Sequence, residues 1–275
     1  MQHVLSTHVI CNHRLTTAWM ERIWHAGIPA VEFFCARQHL DWHNRAQIAE
    51  LGHWFRDSQL TLHSVHAPMY TDDVWGRSGP HSVINITETN KPKRLAMVDE
   101  IKRAIEIADI IPFRYLIQHI GAAGEEYDER KIDAAFGALE EISLFARQSG
   151  AEVLLENIPN AFSSAERLLQ FLEQTHLHLN FCLDVGHANM NEGVANAYSL
   201  MKSRIRSTHL HDNDGKSDQH RFPLLEEGTI DWKKTVDLLR SQPDQYPLLL
   251  ELHDAPDFAQ ALEHIKEIFD KLESL

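Results

Sequence analysis

Six apolar runs in this chain stop, one after another, at a side chain able to bind a metal ion. "TLHSVH" stops at His66, "YLIQH" at His119, "EVLLE" at Glu156, "LNFCLD" at Asp184 with His187 three residues on, "RSTH" at His209, and "PLLLE" at Glu251. One such residue after a strand is ordinarily a helix-capping partner or a satisfied core group. A row of them differs, because carboxylates drawn together out of water repel and lose hydration unless a cation or a proton compensates. The series therefore predicts a metal site. "STHLHDNDGKSDQH", Ser207 to His220, adds donors: Asp218 and His220 have the i, i+2 spacing that turns two side chains to one side of an extended segment, as do His209 and His211. One strand phase brings both of the latter inward; otherwise His211 supports the ligands or carries protons. Carboxylate and imidazole without thiolate suit Zn²⁺, Mn²⁺ or Co²⁺ better than Ca²⁺. Asn157, Asp212 and Asp214 are the expected supporting partners of the ligands.

The elements that must position these residues are eight short β-rich runs with helical patterns between them. In Asp128 to Gln148, residues Ile132, Ala135, Phe136, Leu139 and Ile142 share one face, and Phe258 to Leu272 repeats the pattern at the end. Helix stops are read at Gly150 and at "RSQPDQYP". Strand and helix alternating eight times, with no Pro/Gly/Ser-rich linker, predict one α/β domain over residues 1–275, a (β/α)8 barrel. A doubly wound open sheet is the alternative, and the two differ in whether "PLLLE" closes against the first strand. In such a barrel the βα loops at the C-terminal strand ends converge on one mouth, where all six tips would meet. The loop at about 67–93 is too long for a simple βα turn and reads as a lid, with Trp75, Arg77 and His81 as contact candidates. Arg77, Lys216 and Arg221 are candidates for holding a substrate phosphate or carboxylate.

Of 275 residues 43% are hydrophobic and 24% charged, the composition of a globular chain with a large core. Forty acidic against 26 basic residues give a net charge of −14, so a nonspecific grip on nucleic acid or an anionic membrane is not expected. Cys11, Cys35 and Cys182 are far apart and read as reduced, buried thiols. With no basic n-region before an apolar run and no stretch of eighteen apolar residues, a cytoplasmic enzyme is the expectation.

With these residues assembled, the chain resembles the xylose isomerase-like TIM-barrel superfamily, which includes sugar phosphate isomerases and epimerases and AP endonuclease family 2. The specific stretches are "CLDVGHAN", "HLHDNDGKSDQH", "EEGTIDW" and "LLLE". The resemblance to its sugar epimerases, such as the D-tagatose 3-epimerase group, implies one divalent ion held by Glu156, Asp184, His209 and Glu251. It also implies that Glu156 and Glu251 act as the acid/base pair and that His187 contacts substrate. The endonuclease IV branch implies up to three zinc ions, with His66 and His119 joining Glu156 in one site, and His187, Asp218 and His220 forming another. Glu32, at the end of "AVEFF", is common in the sugar-handling relatives and would meet substrate. Members of the group often pair, so a homodimer is compatible.

Two activities follow as expectations. The first is a sugar or sugar-phosphate isomerase or epimerase, in which the metal polarises a carbonyl while Glu156 and Glu251 exchange a proton at the neighbouring carbon. The alternative is a multinuclear zinc phosphodiesterase, acting on small phosphodiesters rather than abasic DNA, since the loops lack basic character.

Overall fold

The computed structural model of the protein describes residues 1–242 and 246–275. Its eight strands are β1 (His3–Ser6), β2 (Ala30–Phe34), β3 (Thr61–His66), β4 (Tyr115–Gln118), β5 (Glu152–Glu156), β6 (Asn180–Asp184), β7 (Ile205–His209) and β8 (Leu248–Leu250). All pair in parallel in the order β7-β6-β5-β4-β3-β2-β1-β8. β8 joins β1, with Val4 opposite Leu249. The ring then closes where Leu210 N donates to Leu249 O at 2.8 Å and Glu251 N to Leu210 O at 3.3 Å. The closed (β/α)8 barrel thus replaces the open-sheet alternative.

The strands are buried on both faces, which is why they read as nearly continuous apolar runs rather than alternating ones. Outward residues such as Leu5, Val31, Leu116, Leu155, Leu183 and Leu250 join the large core beneath the helices. Inward residues form two smaller clusters, Val4 with Ala30 and Leu249, and Tyr115 with Ile117, Leu154 and Cys182.

The outer helices include α1 (Thr17–His25), α2 (Arg45–Asp57), α3 (Lys91–Ile105), α4 (Glu129–Gln148), α5 (Ala165–Thr175), α6 (Val185–Met190), α7 (Val194–Met201), α8 (Trp232–Arg240) and α9 (Phe258–Ser274). Asn44, Asn90, Asp128, Ser164, Asp231 and Asp257 cap their N-termini by accepting backbone N–H bonds. The stop expected at "RSQPDQYP" is met where α8 ends at Arg240, while its residues 243–245 lie outside the described residues. No described helix is long and apolar enough to cross a membrane.

The long loop after β3 folds back on itself as a small hairpin: Thr71 N donates to Ser82 O at 2.8 Å, and Ile84 N to Met69 O at 2.8 Å. This brings Trp75 down over the barrel mouth, against Phe34 (ring centroids 5.2 Å) and His8 (5.7 Å).

Leu250 is fully buried at the closing seam. Leu250→Ala should cost about 2–5 kcal/mol, from lost transfer energy and the void left behind. A urea titration should show the midpoint falling with the slope unchanged.

Candidate metal centre

Because side chains alternate across a strand, position in the strand decides which residues enter the barrel. The inward set continues upward from the apolar clusters to Ser6, Glu32 and Ser64, and then to the tips. His66, His119, Glu156, Asp184, His209 and Glu251 all occupy the inward phase, and His211 extends that of His209.

Three groups result, and within each the potential ligand atoms lie within 4.8 Å of one another: Glu156, Asp184, His209 and Glu251; His66, His119 and Glu156; and His187, His211, Asp218 and His220. Glu156 belongs to two of them. Its Oε1 is 2.9 Å from His209 Nδ1, while its Oε2 is 3.0 Å from His119 Nε2 and 3.5 Å from His66 Nε2.

The imidazoles are preset for ligation. His66 Nδ1–H donates to Ala67 O (2.9 Å), His187 Nδ1–H to Asn157 O (3.0 Å) and His220 Nδ1–H to Glu251 O (3.0 Å). Each bond fixes the tautomer and leaves Nε2 aimed at a carboxylate: Glu156 for His66, Asp218 for the other two at 3.2 and 3.1 Å. His209 is held the opposite way, with Nε2–H donating to Glu32 at 3.2 Å, so that Nδ1 faces Glu156, Glu251 (3.4 Å) and Asp184 (3.8 Å). Ligand histidines in metal sites are ordinarily oriented by just such a carbonyl or carboxylate, so the donor set fits a divalent cation. His220 takes a left-handed φ of 47° to join the cluster, a backbone strain of the kind functional sites retain.

The electrostatics point the same way. Burial alone would raise Glu156, yet His209 and His119 hold it well below the ordinary carboxylate range. Burial works against protonation of His187 and His220, but Asp184 and Asp218 push the former up to about 10, and Asp218 with Glu251 push the latter up to about 9. Without a cation, protonated imidazoles supply the compensating charge.

A cavity of about 220 Å³ opens above the groups, between Trp75, Phe34, Ile84 and Pro159. Glu156, Glu251, His66, His119, His187, Asp218 and His220 reach it, and no lysine or arginine lines it. Several of the other candidate residues do not reach it. Glu32 is fully buried beneath the floor, accepting a 2.7 Å bond from Ser64, and orients His209 instead of meeting substrate. His211 lies behind His220, stacked at 3.9 Å, with Nε2 3.2 Å from Asp184 and a buried Nδ1 that has no hydrogen-bond partner.

Arg77 and His81 are on the exposed tip of the hairpin. Lys216 is turned outward by a tight loop in which Asp214 accepts from the Lys216 and Ser217 amides, at 2.9 Å each. Arg221 is occupied with Glu227 O. Of the expected supporting residues, Asn157 does meet a ligand residue, since its carbonyl fixes His187. Asp214 serves its turn, and Asp212 organises the chain by accepting from the Asn213 and Thr229 amides and, at 2.6 Å, from Trp232 Nε1.

His8 reaches the cavity although no strand tip marks it. The first apolar run extends to Ile10, but β1 ends at Ser6 and a 3-10 turn, Thr7–Ile10, follows. His8 Nδ1–H donates to Leu252 O at 2.8 Å, which leaves Nε2 for the cavity, and burial, then the neighbouring His220, keeps the ring neutral. The signal available in the sequence was the βα position itself.

The chain matches the family described as Xylose isomerase-like TIM barrel over residues 20–268. It is a member of that family. Among solved structures, this xylose isomerase-like barrel is similar to a D-tagatose 3-epimerase-like protein, at 25% identity and TM-score 0.79, covering 100% of this chain and 99% of the other. Among curated relatives it is 21% identical to the uncharacterized protein MJ1614 of Methanocaldococcus jannaschii, over 69% of this chain and 75% of the relative. It is also 26% identical to the probable endonuclease 4 of Natronomonas pharaonis, over 50% of this chain and 53% of that protein.

Gly186 is what lets His211 stand where it does, since a Cβ there would lie 2.0 Å from the ring. Gly186→Ala should cost about 1–3 kcal/mol by overpacking, seen as a lower thermal midpoint. Unchanged stability would mean that the His211 ring has room to move.

Proposed function

We propose that the chain is a divalent metal-dependent isomerase or epimerase of a small, sugar-like carbonyl compound. The observation that carries this reading is the Glu156, Asp184, His209 and Glu251 group on the floor of a small cavity that no lysine or arginine lines. At about 220 Å³ the space is below the ~300–1,000 Å³ common for drug-sized ligands and suits a compact polar molecule, not a nucleic acid strand. The lack of lysine and arginine favours an unphosphorylated sugar.

An ion held by the four residues would supply Lewis acidity to a carbonyl oxygen. The protein's own residues then handle the proton. One of Glu156 and Glu251 removes it from the carbon next to the carbonyl, and the other returns it, which needs a carboxylate within hydrogen-bonding reach on each side. His187, His8 and Gln118 offer hydrogen bonds to hydroxyl groups, and Trp75 with Phe34 keeps water from the reacting carbon.

A second reading, multinuclear phosphodiester hydrolysis, is favoured by one feature: Glu156 presents each oxygen to a different donor group. Such a carboxylate suits a bridge better than a proton carrier. His66, His119, Asp218 and His220, to which the isomerase reading gives no role, belong to this reading too.

Three measurements check these proposals. Incubated in D₂O with Mn²⁺ or Co²⁺ and a panel of ketoses and aldoses, the enzyme should incorporate deuterium at the carbon next to the carbonyl. Glu251→Gln should lower that rate by about 10²–10⁴-fold; no exchange with any sugar sinks the isomerase reading. Elemental analysis of chelator-free protein separates the two: one ion per chain supports the isomerase, two or three the hydrolase. Because Asp184 and Asp218 push His187 up to about 10, and Asp218 with Glu251 push His220 up to about 9, metal binding there would displace protons. Affinity should therefore rise with pH from 6 towards 9, with proton release measurable in weakly buffered solution.

A further inference from the structure

The opposite end of the barrel holds a second cavity, of about 850 Å³, lined by strand starts and by the segments that lead into them. In a chain with 40 acidic and 26 basic residues, none of the described side chains lining it is acidic, while Arg114, Lys202 and Arg206 are cationic. Among the described residues, none of the three is ion-paired. The Arg114 guanidinium lies 4.9 Å from the Tyr115 ring centre, and Arg206 Nη1 donates to Ile205 O at 2.9 Å. Glu152, at the start of β5, is bonded to the Asn180 side chain and stays outside the lining.

A separate feature of the backbone converges on the same place. Parallel pairing of β2 with β3 skips His63, since Val31 lies opposite Leu62 and Glu32 opposite Ser64. Pairing of β6 with β7 skips Arg206, since Phe181 lies opposite Ile205 and Cys182 opposite Ser207. Bulges re-aim side chains and gather at barrel rims and beside binding sites. Both extra residues here line this one cavity. His63, mostly buried, is bonded at 3.3 Å to Ser207 Oγ, and burial holds its pKa down at about 4, so it adds a hydrogen-bonding ring without charge.

We propose that this cavity binds a phosphate-bearing small molecule, with Arg114, Arg206 and Lys202 as the groups that hold its oxyanion. Two planar guanidinium groups and an ammonium around a wide polar space match a phosphoryl group better than a single carboxylate, because each guanidinium can give two parallel bonds. The site is independent of the metal groups, which lie at the other end of the strands, so it holds whichever chemistry the mouth performs.

The test is calorimetric titration of the metal-loaded full chain with pyrophosphate, inorganic phosphate and malonate. Pyrophosphate should bind saturably, and Arg114→Gln/Arg206→Gln should weaken it by about tenfold or more. Lys202→Gln, a change at an exposed residue, should weaken it independently of that pair. His187→Ala at the mouth should leave it within about twofold. The proposal is overturned if the arginine pair makes no difference, if His187→Ala abolishes binding instead, or if malonate binds more tightly than pyrophosphate.

Discussion

Four carboxylates, Glu32, Glu156, Asp184 and Glu251, are buried within the upper end of one barrel, and the structure around them answers their mutual repulsion. Below them the interior is apolar, from Val4, Ala30 and Leu249 to Ile117 and Leu154, so no solvent screens them from beneath. In that medium each charge must face an opposite charge or a hydrogen-bond donor. Imidazoles fill the gaps between them, and main-chain carbonyls of Ala67, Asn157 and Glu251 hold those rings by Nδ1 so that Nε2 faces inward. The layer is arranged to receive positive charge.

The fold itself narrows where such a layer can be. A barrel strand has few inward positions, and the lower ones are taken by residues that fill space. Only the last inward residue of each strand meets both the low-dielectric interior and an opening to solvent. This is why the donors fall at Glu156, Asp184 and His209 in successive strands, in the register that pairs Glu156 with Cys182 and Asp184 with His209.

That regularity also explains how much was legible from the sequence. Strand tips are readable because an apolar run ending in a donor is a local pattern, and period two assigns the facing. The Asp128 cap and the apolar stripe of α4 are readable for the same local reason. His8 was hidden because four residues of 3-10 turn look like more strand when Val9 and Ile10 follow. The directions of Arg77, Lys216 and Arg221 depend on the hairpin after β3 and on turns built by Asp212 and Asp214, whose partners are distant or main-chain atoms. Glu32 was mislaid by depth alone: its strand phase points inward, but one layer too low to reach the cavity, so it meets His209 instead.

The shared carboxylate carries one more consequence. With Oε1 of Glu156 turned to one donor group and Oε2 to its neighbour, the two groups cannot fill as independent sites. An ion in either would draw electron density along the carboxylate and fix its rotamer for the other, so occupancy of each alters the affinity of both by the same factor. If both groups were to hold ions, loading would be stepwise, its coupling set by the balance between a shared carboxylate already oriented and the repulsion of two neighbouring cations.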